Sequence, residues 1–389
     1  MARTTLEAGG RAYTVNFDES PRAGDRYQSI AIAQLLDEIT GNPIMGTVRV
    51  AADLTGARPK SVRDGICGVA GIPSHHFPEL DAQPYEFDLS VEVGGFAPFD
   101  DRIVVPQQPN FPDEFTGVDL GLVELRRMPV TIIVRTLQLD GQNRPVPLPG
   151  ATVQISSIWR TTQDLSGPPS APDIVSLRPP LYAERPQPGT TLEPVTMTPV
   201  AEPERVLVRA AEPGANVVEV GRTGGVSSGS IVGIDTADAD RVEYIEVDSV
   251  VGPSDPESPA ALTLAFPVRY RHRQGASVQE MTVAPLGPPA ANLGVAGRPG
   301  DATVFVDAVA SFATEPVVRV GGGSPPDEFV TALSYQVTTD AEGYGHLPPL
   351  TRVAAVEIEA AAPGPITAPA TPFTPQYGQF HNTFQLVLE

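Results

Sequence analysis

The chain of 389 residues has 26 basic and 47 acidic residues, which gives a formal net charge of −21. We therefore expect no nucleic-acid partner, because binding to the phosphate backbone depends on clustered Lys and Arg side chains. The 43 prolines and 36 glycines favour many short strands joined by turns and disfavour long helices. A hydrophobic fraction of 41% is still enough for the cores of about two to four domains.

Cysteine content and apolar runs narrow the class further. Cys67 is the only cysteine, so we expect neither an intrachain disulfide nor a cysteine-based zinc site, and Cys67 itself is typical of a small buried hydrophobe. The N-terminal stretch has no apolar run of the length that a signal peptide needs. No stretch approaches about 18 uninterrupted apolar residues, so no membrane insertion is expected. These features predict assembly in the cytoplasm.

The first third of the chain is predicted to contain an N-terminal arm (1–29), a first β-sandwich (30–105) and a Pro- and aromatic-rich connector (106–129). Residues 30–39 fit either a strand or one or two helical turns. Tyr85–Val93 alternates between apolar and polar side chains and is the clearest strand in the sequence.

Two proline-rich stretches are predicted to be extended. In the connector, Phe111 and Phe115 favour burial, so the connector is expected to pack as a strap on the surface. Prolines disrupt central strands, so 160–204 is predicted to be either an extended, Pro-rich, mostly polyproline-like arm or a loop that orders on a neighbour. Tyr182 in this arm joins Phe111 and Phe115 as a candidate for contact with a neighbouring subunit.

An internal repeat is the strongest organisational signal. Two stretches share identical residues at a constant offset (293 − 207 = 86), and this pattern predicts two small β-units over 205–285 and 291–335. Two copies are too few for a solenoid, so the units are expected to pack on each other or on a sandwich. The recurring residues are Leu207, Ala210, Pro213, Gly214, Val218, Val220 and Val232, matched by Leu293, Ala296, Pro299, Gly300, Val304, Val306 and Val318.

Two patterns suggest catalysis or a histidine–metal site, and each has an ordinary structural explanation. Gly225–Gly229 matches the Gly-x-Ser-x-Gly motif centred on Ser227, but that motif needs a preceding strand and a following helix, and the residues that follow here are strand-like. His75 and His76 are adjacent, so on a strand they would face opposite sides and would not bind one metal together. We predict no catalytic site, no metal site and no cofactor.

The acidic run at Asp235, Asp238 and Asp240 has a spacing that could bind calcium. It lacks the continuation of a helix-flanked calcium loop. A solvated hairpin tip is therefore the preferred interpretation.

Small basic clusters stand out in this acidic chain. Arg269, Arg271 and Arg273 alternate, which would place all three on one face of a strand. Their ordinary role would be pairing with nearby acids, as for Arg126 and Arg127. The sharper hypothesis is an intersubunit salt-bridge patch, because an acidic protein that self-assembles needs local charge complementarity.

Two separated stretches resemble the halves of one known sandwich family. Val130–Ile155 (VTIIVRTLQLDGQNRPVPLPGATVQI) resembles the opening half of a carboxypeptidase-regulatory-like, or prealbumin-like, sandwich, and Thr339–Leu350 resembles its second half. Residues 37–50, together with residues 85–96, resemble a second and more divergent member that lacks the Asp-x-x-Gly turn of the family. The resemblance implies a non-catalytic accessory fold and a split sandwich formed by 130–159 plus 336–389.

The first repeat resembles a module of particle proteins. Leu207–Val278 ends in LTLAFPVRYRHRQGASV and is similar to a small β-module of phage and phage-tail-like structural proteins, in which His272, Gly275, Ala276 and Val278 fit the usual ending. The whole layout resembles proteins encoded with contractile injection systems. This resemblance implies other structural proteins of a particle as partners, a homo-oligomeric state and a final location in a virion or extracellular particle.

The sequence thus predicts an all-β protein with several Ig-like or prealbumin-like β-sandwich modules, Pro-rich extended arms and two small repeated β-units. The expected function is a non-enzymatic structural component of a phage or phage-tail-like contractile injection particle, such as a tail, baseplate, collar or fibre-associated protein. The alternative is a surface adhesin or glycan-binding protein that uses the loop aromatics Tyr182, Phe373 and Tyr377. A hydrolase that acts through Ser227 is the third possibility.

Overall fold

The structure is a computed structural model that describes residues 2–8, 11–17, 22–162, 164–171, 173–201, 205–253, 255–287, 290–322, 325–362, 367–377, 379 and 381–388. The regular secondary structure of these residues is almost entirely β-strand, with one four-residue α-helix and three short 3-10 turns. The all-β prediction is confirmed. No described helix has the length and apolar character needed to span a membrane.

The strands are numbered in chain order. The first nine are β1 (Ala2–Ala8), β2 (Arg11–Phe17), β3 (Gln28–Asp37), β4 (Val48–Ala52), β5 (Arg58–Ser61), β6 (Ile66–Gly71), β7 (Tyr85–Val93), β8 (Phe99–Val105) and β9 (Val118–Leu125). The next ten are β10 (Thr131–Leu139), β11 (Pro145–Pro147), β12 (Thr152–Trp159), β13 (Ile174–Arg178), β14 (Thr191–Pro199), β15 (Arg205–Val206), β16 (Val217–Val220), β17 (Ile231–Ile234), β18 (Glu243–Val251) and β19 (Ala260–Leu264). The last ten are β20 (Ser277–Pro285), β21 (Ala291–Asn292), β22 (Thr303–Phe305), β23 (Val317–Gly321), β24 (Glu328–Leu333), β25 (Gln336–Thr338), β26 (Tyr344–His346), β27 (Ala355–Ala361), β28 (Thr367–Phe373) and β29 (His381–Leu388). The helix α1 is Pro73–His76, and the 3-10 turns are Ala23–Asp25, Asp164–Ser166 and Val309–Phe312.

The first sandwich packs the sheet β5-β6-β3-β9 against the sheet β4-β7-β8. The ambiguous stretch 30–39 is largely strand, because most of its side chains are buried and β3 pairs with β6 on one side and β9 on the other. The clearest predicted strand is observed with the predicted bounds as β7. The connector is more than a strap, because its residues 118–125 form β9, parallel to β3. The N-terminal stretch forms the antiparallel hairpin β1-β2.

The second sandwich combines strands that are far apart in the sequence. β10 pairs with β26 and, in parallel, with β29, while β12 lies between β25 and β27. The two sheets share one apolar core, in which Val134, Val153, Leu350, Val356 and Leu386 are buried. These pairings join residues 131–159 to residues 336–388, although the predicted domain boundaries themselves remain a prediction.

Repeat unit 1 consists of β15 to β20. Its pairings run β15-β20-β17-β18-β19-β16. A bridge between Leu207 and Val220 connects the chain after β15 back to β16, so the six strands close into a ring.

Repeat unit 2 has the same closed order but a different connectivity. Its pairings run β21-β14-β23-β24-β13-β22, and a bridge between Leu293 and Val306 closes it. These positions lie 86 residues after Leu207 and Val220 (293 − 207 and 306 − 220). β13 and β14 stand where unit 1 has β19 and β20, but they precede unit 1 in the chain. Unit 2 is therefore discontinuous, and unit 1 is inserted between β14 and β21.

The prediction of an extended arm over 160–204 is wrong at two stretches, Ile174–Arg178 and Thr191–Pro199, because β13 and β14 are strands of unit 2. β14 accepts prolines because it changes neighbours halfway. It pairs with β23 over 191–195 and with β20 over 195–199. Pro199 has a paired strand on one side only, where a missing amide donor costs little. Pro194 pairs with Val318 of β23, and on its other side it lies between the β21 and β20 pairings, where its carbonyl accepts from the Leu286 amide.

The two units face each other across a pseudo-two-fold axis. β14 of unit 2 pairs with β20 of unit 1, with Met197 opposite Val283. These two residues are 86 apart (283 − 197), so they are equivalent positions, and the register is symmetric on either side of them. The repeat is thus a fused pseudo-dimer that is itself inserted between β12 and β25 of the second sandwich.

Candidate functional site

The predicted arginine patch lies at the junction of the two repeat units, but it is not a strand face. Residues 267–275 lie outside the named strands, with a single bridge at His272. Arg269 is half-buried, with its guanidinium 4.8 Å from the centre of the Tyr182 ring and a 2.8 Å hydrogen bond to the carbonyl of Leu181. Arg271 lies at the surface and pairs with Glu212 at 2.9 Å.

Because that segment is irregular, the three arginines do not form one row. Arg273 is exposed, as Arg271 is, whereas Arg269 points into the junction. An intersubunit role stays a prediction for the two exposed arginines. Arg269 instead contacts the other repeat unit of the same chain.

A buried carboxylate organises this junction from beneath. Glu243, at the start of β18, accepts hydrogen bonds from the backbone amides of Arg269 and Tyr270, each at 2.9 Å, and from the Tyr182 hydroxyl. His272 Nε2 lies 2.9 Å from the same carboxylate. Both Glu243 and His272 are fully buried. One carboxylate therefore fixes the path of the 267–275 segment and attaches Tyr182 to it.

Unit 2 repeats this arrangement with different side chains. Glu328 at the start of β24 accepts hydrogen bonds from the amides of Tyr182 (2.6 Å) and Ala183 (3.0 Å) and from Arg185 Nε (2.9 Å). Arg185 occupies the place of His272. The backbone of Arg185 pairs with Gly297, the backbone of His272 pairs with Ala211, and Gly297 is the equivalent of Ala211 (297 − 211 = 86). The duplication has kept a buried acid that holds two consecutive amides and one basic side chain.

The electrostatics of the cluster fit a structural role. Burial raises the pKa of Glu328, although hydrogen bonds from the two amides and the nearby Arg185 oppose the rise. Burial and the neighbouring Glu243 raise the pKa of Tyr182, which therefore remains a hydroxyl donor. His272, Glu243 and Tyr182 could form an acid–base set in principle, but a substrate must come within hydrogen-bond distance of such groups. Here they are enclosed by the two units.

Sequence reasoning missed Glu243, Glu328 and Arg185. The repeat was detected only from residue 207 onward, and Arg185 lies before that point. Glu243 and Glu328 differ by 85 residues rather than 86, so a search at a fixed offset does not align them. Extending the alignment backward would reach Arg185, and allowing a one-residue shift would align Glu243 with Glu328.

Three aromatic candidates for intersubunit contact are used inside the chain. Phe111 is 6% exposed and Tyr182 is 8% exposed, so neither is available to a neighbouring subunit. Phe115 is half-buried and stacks near Phe77 at a ring distance of 6.4 Å, in the core of the first sandwich. The interface prediction for Phe111 and Tyr182 is therefore corrected, because intrachain cores cover both rings.

The glycan-binding alternative loses its aromatic platform for the same reason. Tyr377 is buried, and its hydroxyl donates to the carbonyl of Val353 at 2.6 Å. Phe373 is half-buried and packs against Phe384 at a ring distance of 5.2 Å. These rings and Tyr182 stabilise cores, so they do not form an exposed stacking surface.

The remaining chemical candidates lie apart from one another. Ser227 is exposed in a turn that leads into β17, a strand where the hydrolase motif needs a helix. His75 and His76 lie in α1 rather than on a strand. No group of three or more His, Cys, Asp or Glu side chains among the described residues is arranged to hold a metal ion.

The acidic run forms the turn between β17 and β18. Asp240 pairs with Arg178 at 2.8 Å, and Asp238 lies 3.8 Å from Arg241. Asp235 lies 3.7 Å from Nδ1 of the buried His272. The carboxylates are thus divided among basic side chains and do not converge.

The outer face of the sheet β4-β7-β8 forms an acidic hollow of about 530 Å³. One basic side chain, Arg102, lies 3.3 Å from Asp88 within it. A shallow acidic face of this kind fits a basic protein surface better than a small molecule. The acidic residues that line it are Asp53, Asp88, Asp100 and Asp101.

Comparisons with known proteins give no family. No protein-family model and no curated protein matches the chain. Among solved structures, the chain is similar to a crystal structure of BcpA, the major pilin subunit of Bacillus cereus, with 8% identity, coverage of 92% of this chain and 98% of that chain, and a TM-score of 0.17. A TM-score this low carries no argument about fold or function. Neither the carboxypeptidase-regulatory-like nor the phage resemblance is shown by these comparisons.

Proposed function

We propose that this chain is a non-enzymatic structural component of a phage or phage-tail-like contractile injection particle, which assembles through the faces of its β modules. The observation that carries the proposal is the nested architecture. Every inserted module is joined to its host by two chain crossings, so the modules are tethered twice and resist reorientation. Such a scaffold suits a protein that must present several surfaces in a fixed arrangement.

Ion pairs at the module junctions support this role. Arg127 pairs with Asp37 and joins the segment before β10 to the first sandwich. Arg126 lies 3.5 Å and Arg352 2.8 Å from the buried Asp301 of unit 2. The first sandwich, the second sandwich and unit 2 therefore meet in one charged junction, which favours a single rigid body.

The expected partners follow from the surface chemistry. The acidic hollow on β4-β7-β8 would receive a basic face of another particle protein, and a formal charge of −21 disfavours indiscriminate association of copies. The proposed route is assembly in the cytoplasm followed by residence in the particle.

The test is recovery of the chain in intact particles. Particles purified by density gradient from the producing cells should contain this chain at a constant ratio to the sheath and tube proteins, measured by quantitative mass spectrometry. An abundant cytoplasmic enzyme of the same cells, quantified in the same fractions, reports carry-over. A chain that follows the cytoplasmic enzyme rather than the particle would refute the proposal.

A further inference from the structure

One face of repeat unit 1 carries a row of exposed valines. On β16, Val217 pairs with Thr263 of β19, which places their side chains on one face of the ring. Val208 lies next to the buried Leu207, so it points outward on the same side. We call this surface the valine face; its exposed valines are Val206 (42%), Val208 (39%), Val217 (48%) and Val251 (66%).

The same face of repeat unit 2 is a docking surface in this chain. Thr303 of β22 is the equivalent of Val217 (303 − 217 = 86), and it is fully buried against the second sandwich. The Thr303 hydroxyl lies 2.8 Å from the Tyr335 hydroxyl and accepts a 2.8 Å hydrogen bond from the Thr351 amide. Phe305, the equivalent of Glu219, is buried in the sandwich core. One copy of the repeat therefore uses this face for a tertiary contact, whereas the other leaves it open.

The valine face of unit 1 cannot make the contact that the equivalent face of unit 2 makes with the second sandwich. The hydrogen-bonding hydroxyl of Thr303 is replaced by the apolar Val217, and the apolar Phe305 is replaced by the charged Glu219. The face instead combines valines with one opposite-charge pair, Arg209 and Glu219, which are 3.3 Å apart and exposed. A surface that carries both members of an ion pair is complementary to itself, because a two-fold axis can exchange the two partners between copies.

We propose that a second copy of this chain covers the valine face, forming a two-fold dimer in which Arg209 of each copy meets Glu219 of the other. Burial of the valines supplies the attraction. The local Arg–Glu exchange offsets part of the repulsion between two acidic chains. This dimer deepens the proposed function, on which it rests, by naming one of the subunit contacts.

The first test compares matched substitutions in the full chain. Val217→Asp places a carboxylate in the valine face, whereas Val104→Asp places one at a similarly exposed valine (50%) on the outer face of β8. In sedimentation-velocity runs over a concentration series, we expect wild type and Val104→Asp to dimerise with similar constants. We expect Val217→Asp to weaken the dimer by about 100-fold or more, since two buried carboxylates would face each other. A wild type that stays monomeric, or a dimer insensitive to Val217→Asp, would overturn the proposal.

The second test uses charge exchange, which also controls for folding. Arg209→Glu alone and Glu219→Arg alone should each weaken self-association, because each homodimer would bring like charges together. A mixture of the two variants, distinguished by mass in native mass spectrometry, should form mainly the mixed dimer, in which every contact is again Glu with Arg. An absence of preference for the mixed dimer would refute the proposed geometry even if some other dimer exists.

The outcomes separate this dimer from the proposed function. A purified chain that is monomeric yet recovered in particles would remove the dimer and leave the function. A chain that forms the Val217-sensitive dimer but is absent from particles would remove the function and leave the dimer. If covalent cross-linking at the valine face attaches an unrelated protein rather than a second copy, the dimer proposal would also be refuted.

Discussion

Replacing the buried carboxylate of Glu243 tests whether it organises the junction of the two repeat units. In Glu243→Leu, four donors lose their acceptor: the Tyr182 hydroxyl, the amides of Arg269 and Tyr270, and His272 Nε2. A buried donor without a partner costs about 1–3 kcal/mol, so even the low end of that range gives about 4 kcal/mol. The loss of one member of a buried polar pair is typically of the same size, about 3–5 kcal/mol.

The effect should be local, so the measurement is local too. The chain has several modules, and a single unfolding free energy is not defined for it. Amide hydrogen exchange with mass spectrometry, applied to β18 and β20 in the full chain, gives their opening free energies. We expect a fall of about 4 kcal/mol for Glu243→Leu and about half as much for Glu243→Gln, which keeps one acceptor oxygen.

The matched control is Glu257→Gln in the same unit. Glu257 is exposed and lies 3.4 Å from Arg222, and an exposed pair of this kind contributes about 0–1 kcal/mol. Its exchange should match wild type. If Glu243→Leu lowers the opening free energy of β18 by less than about 1 kcal/mol, Glu243 does not organise the junction and the reasoning is wrong.

Three further predictions concern the first sandwich. Burial opposes but does not prevent the lowering of the pKa of Asp37 by Arg127; the stability from this pair should be complete above about pH 4 and lost as the pH falls through the lower folded value. Asp37→Asn should therefore lower the opening free energy of β3, followed by hydrogen exchange, at neutral pH and flatten its dependence on acid pH. An unchanged pH profile would contradict the pairing. Phe111→Ala should cost about 3–5 kcal/mol by core truncation, whereas Val104→Ala should change stability by less than about 0.5 kcal/mol, both followed by hydrogen exchange in β7. Burial raises the pKa of the Cys67 thiol to about 11, so native protein should react with iodoacetamide at about pH 8 far more slowly than denatured protein, and equal rates would show that the thiol is accessible.

Strong local alternation was enough to predict part of the fold. β7 was predicted with its observed bounds because its outward residues are polar and its inward residues are Phe87, Leu89, Val91 and Val93, which are buried. The all-β class followed from composition, and the pairing of residues 131–159 with 336–388 agrees with the stretches that resemble two halves of a sandwich. Strand alternation and composition depend on residues that are close in the sequence or on one face of a single strand, so they can be read directly from the sequence.

Signals that depend on distant partners were misread. The prolines of β14 indicated an arm, because the sequence does not show that Pro199 falls where the strand has a single neighbour and Pro194 falls between the β21 and β20 pairings. The backward extension of the repeat was missed because β14 and β20 share only two identical positions, Thr196 with Thr282 and Pro199 with Pro285. The candidate site was mispredicted for a related reason: aromatic character marks Tyr182 and Phe111 as contact residues, but only the fold shows that the contacts are internal.

The nested insertion also sets the order in which the modules can form as the chain leaves the ribosome. Unit 1 is the continuous member of the nest, so it can close once β20 has emerged. Unit 2 stays incomplete for longer: β14 can pair with β20 as soon as β20 is made, but β13 lacks its partners until β22 and β24 are made, and β14 lacks β23 until then. β10 can pair with β11 early, but it waits longest for its last neighbour, since Thr131 pairs with His381, 250 residues later (381 − 131). Unit 1 would then act as an early folded spacer that keeps the open strands of its hosts apart, where they could otherwise pair with another nascent copy.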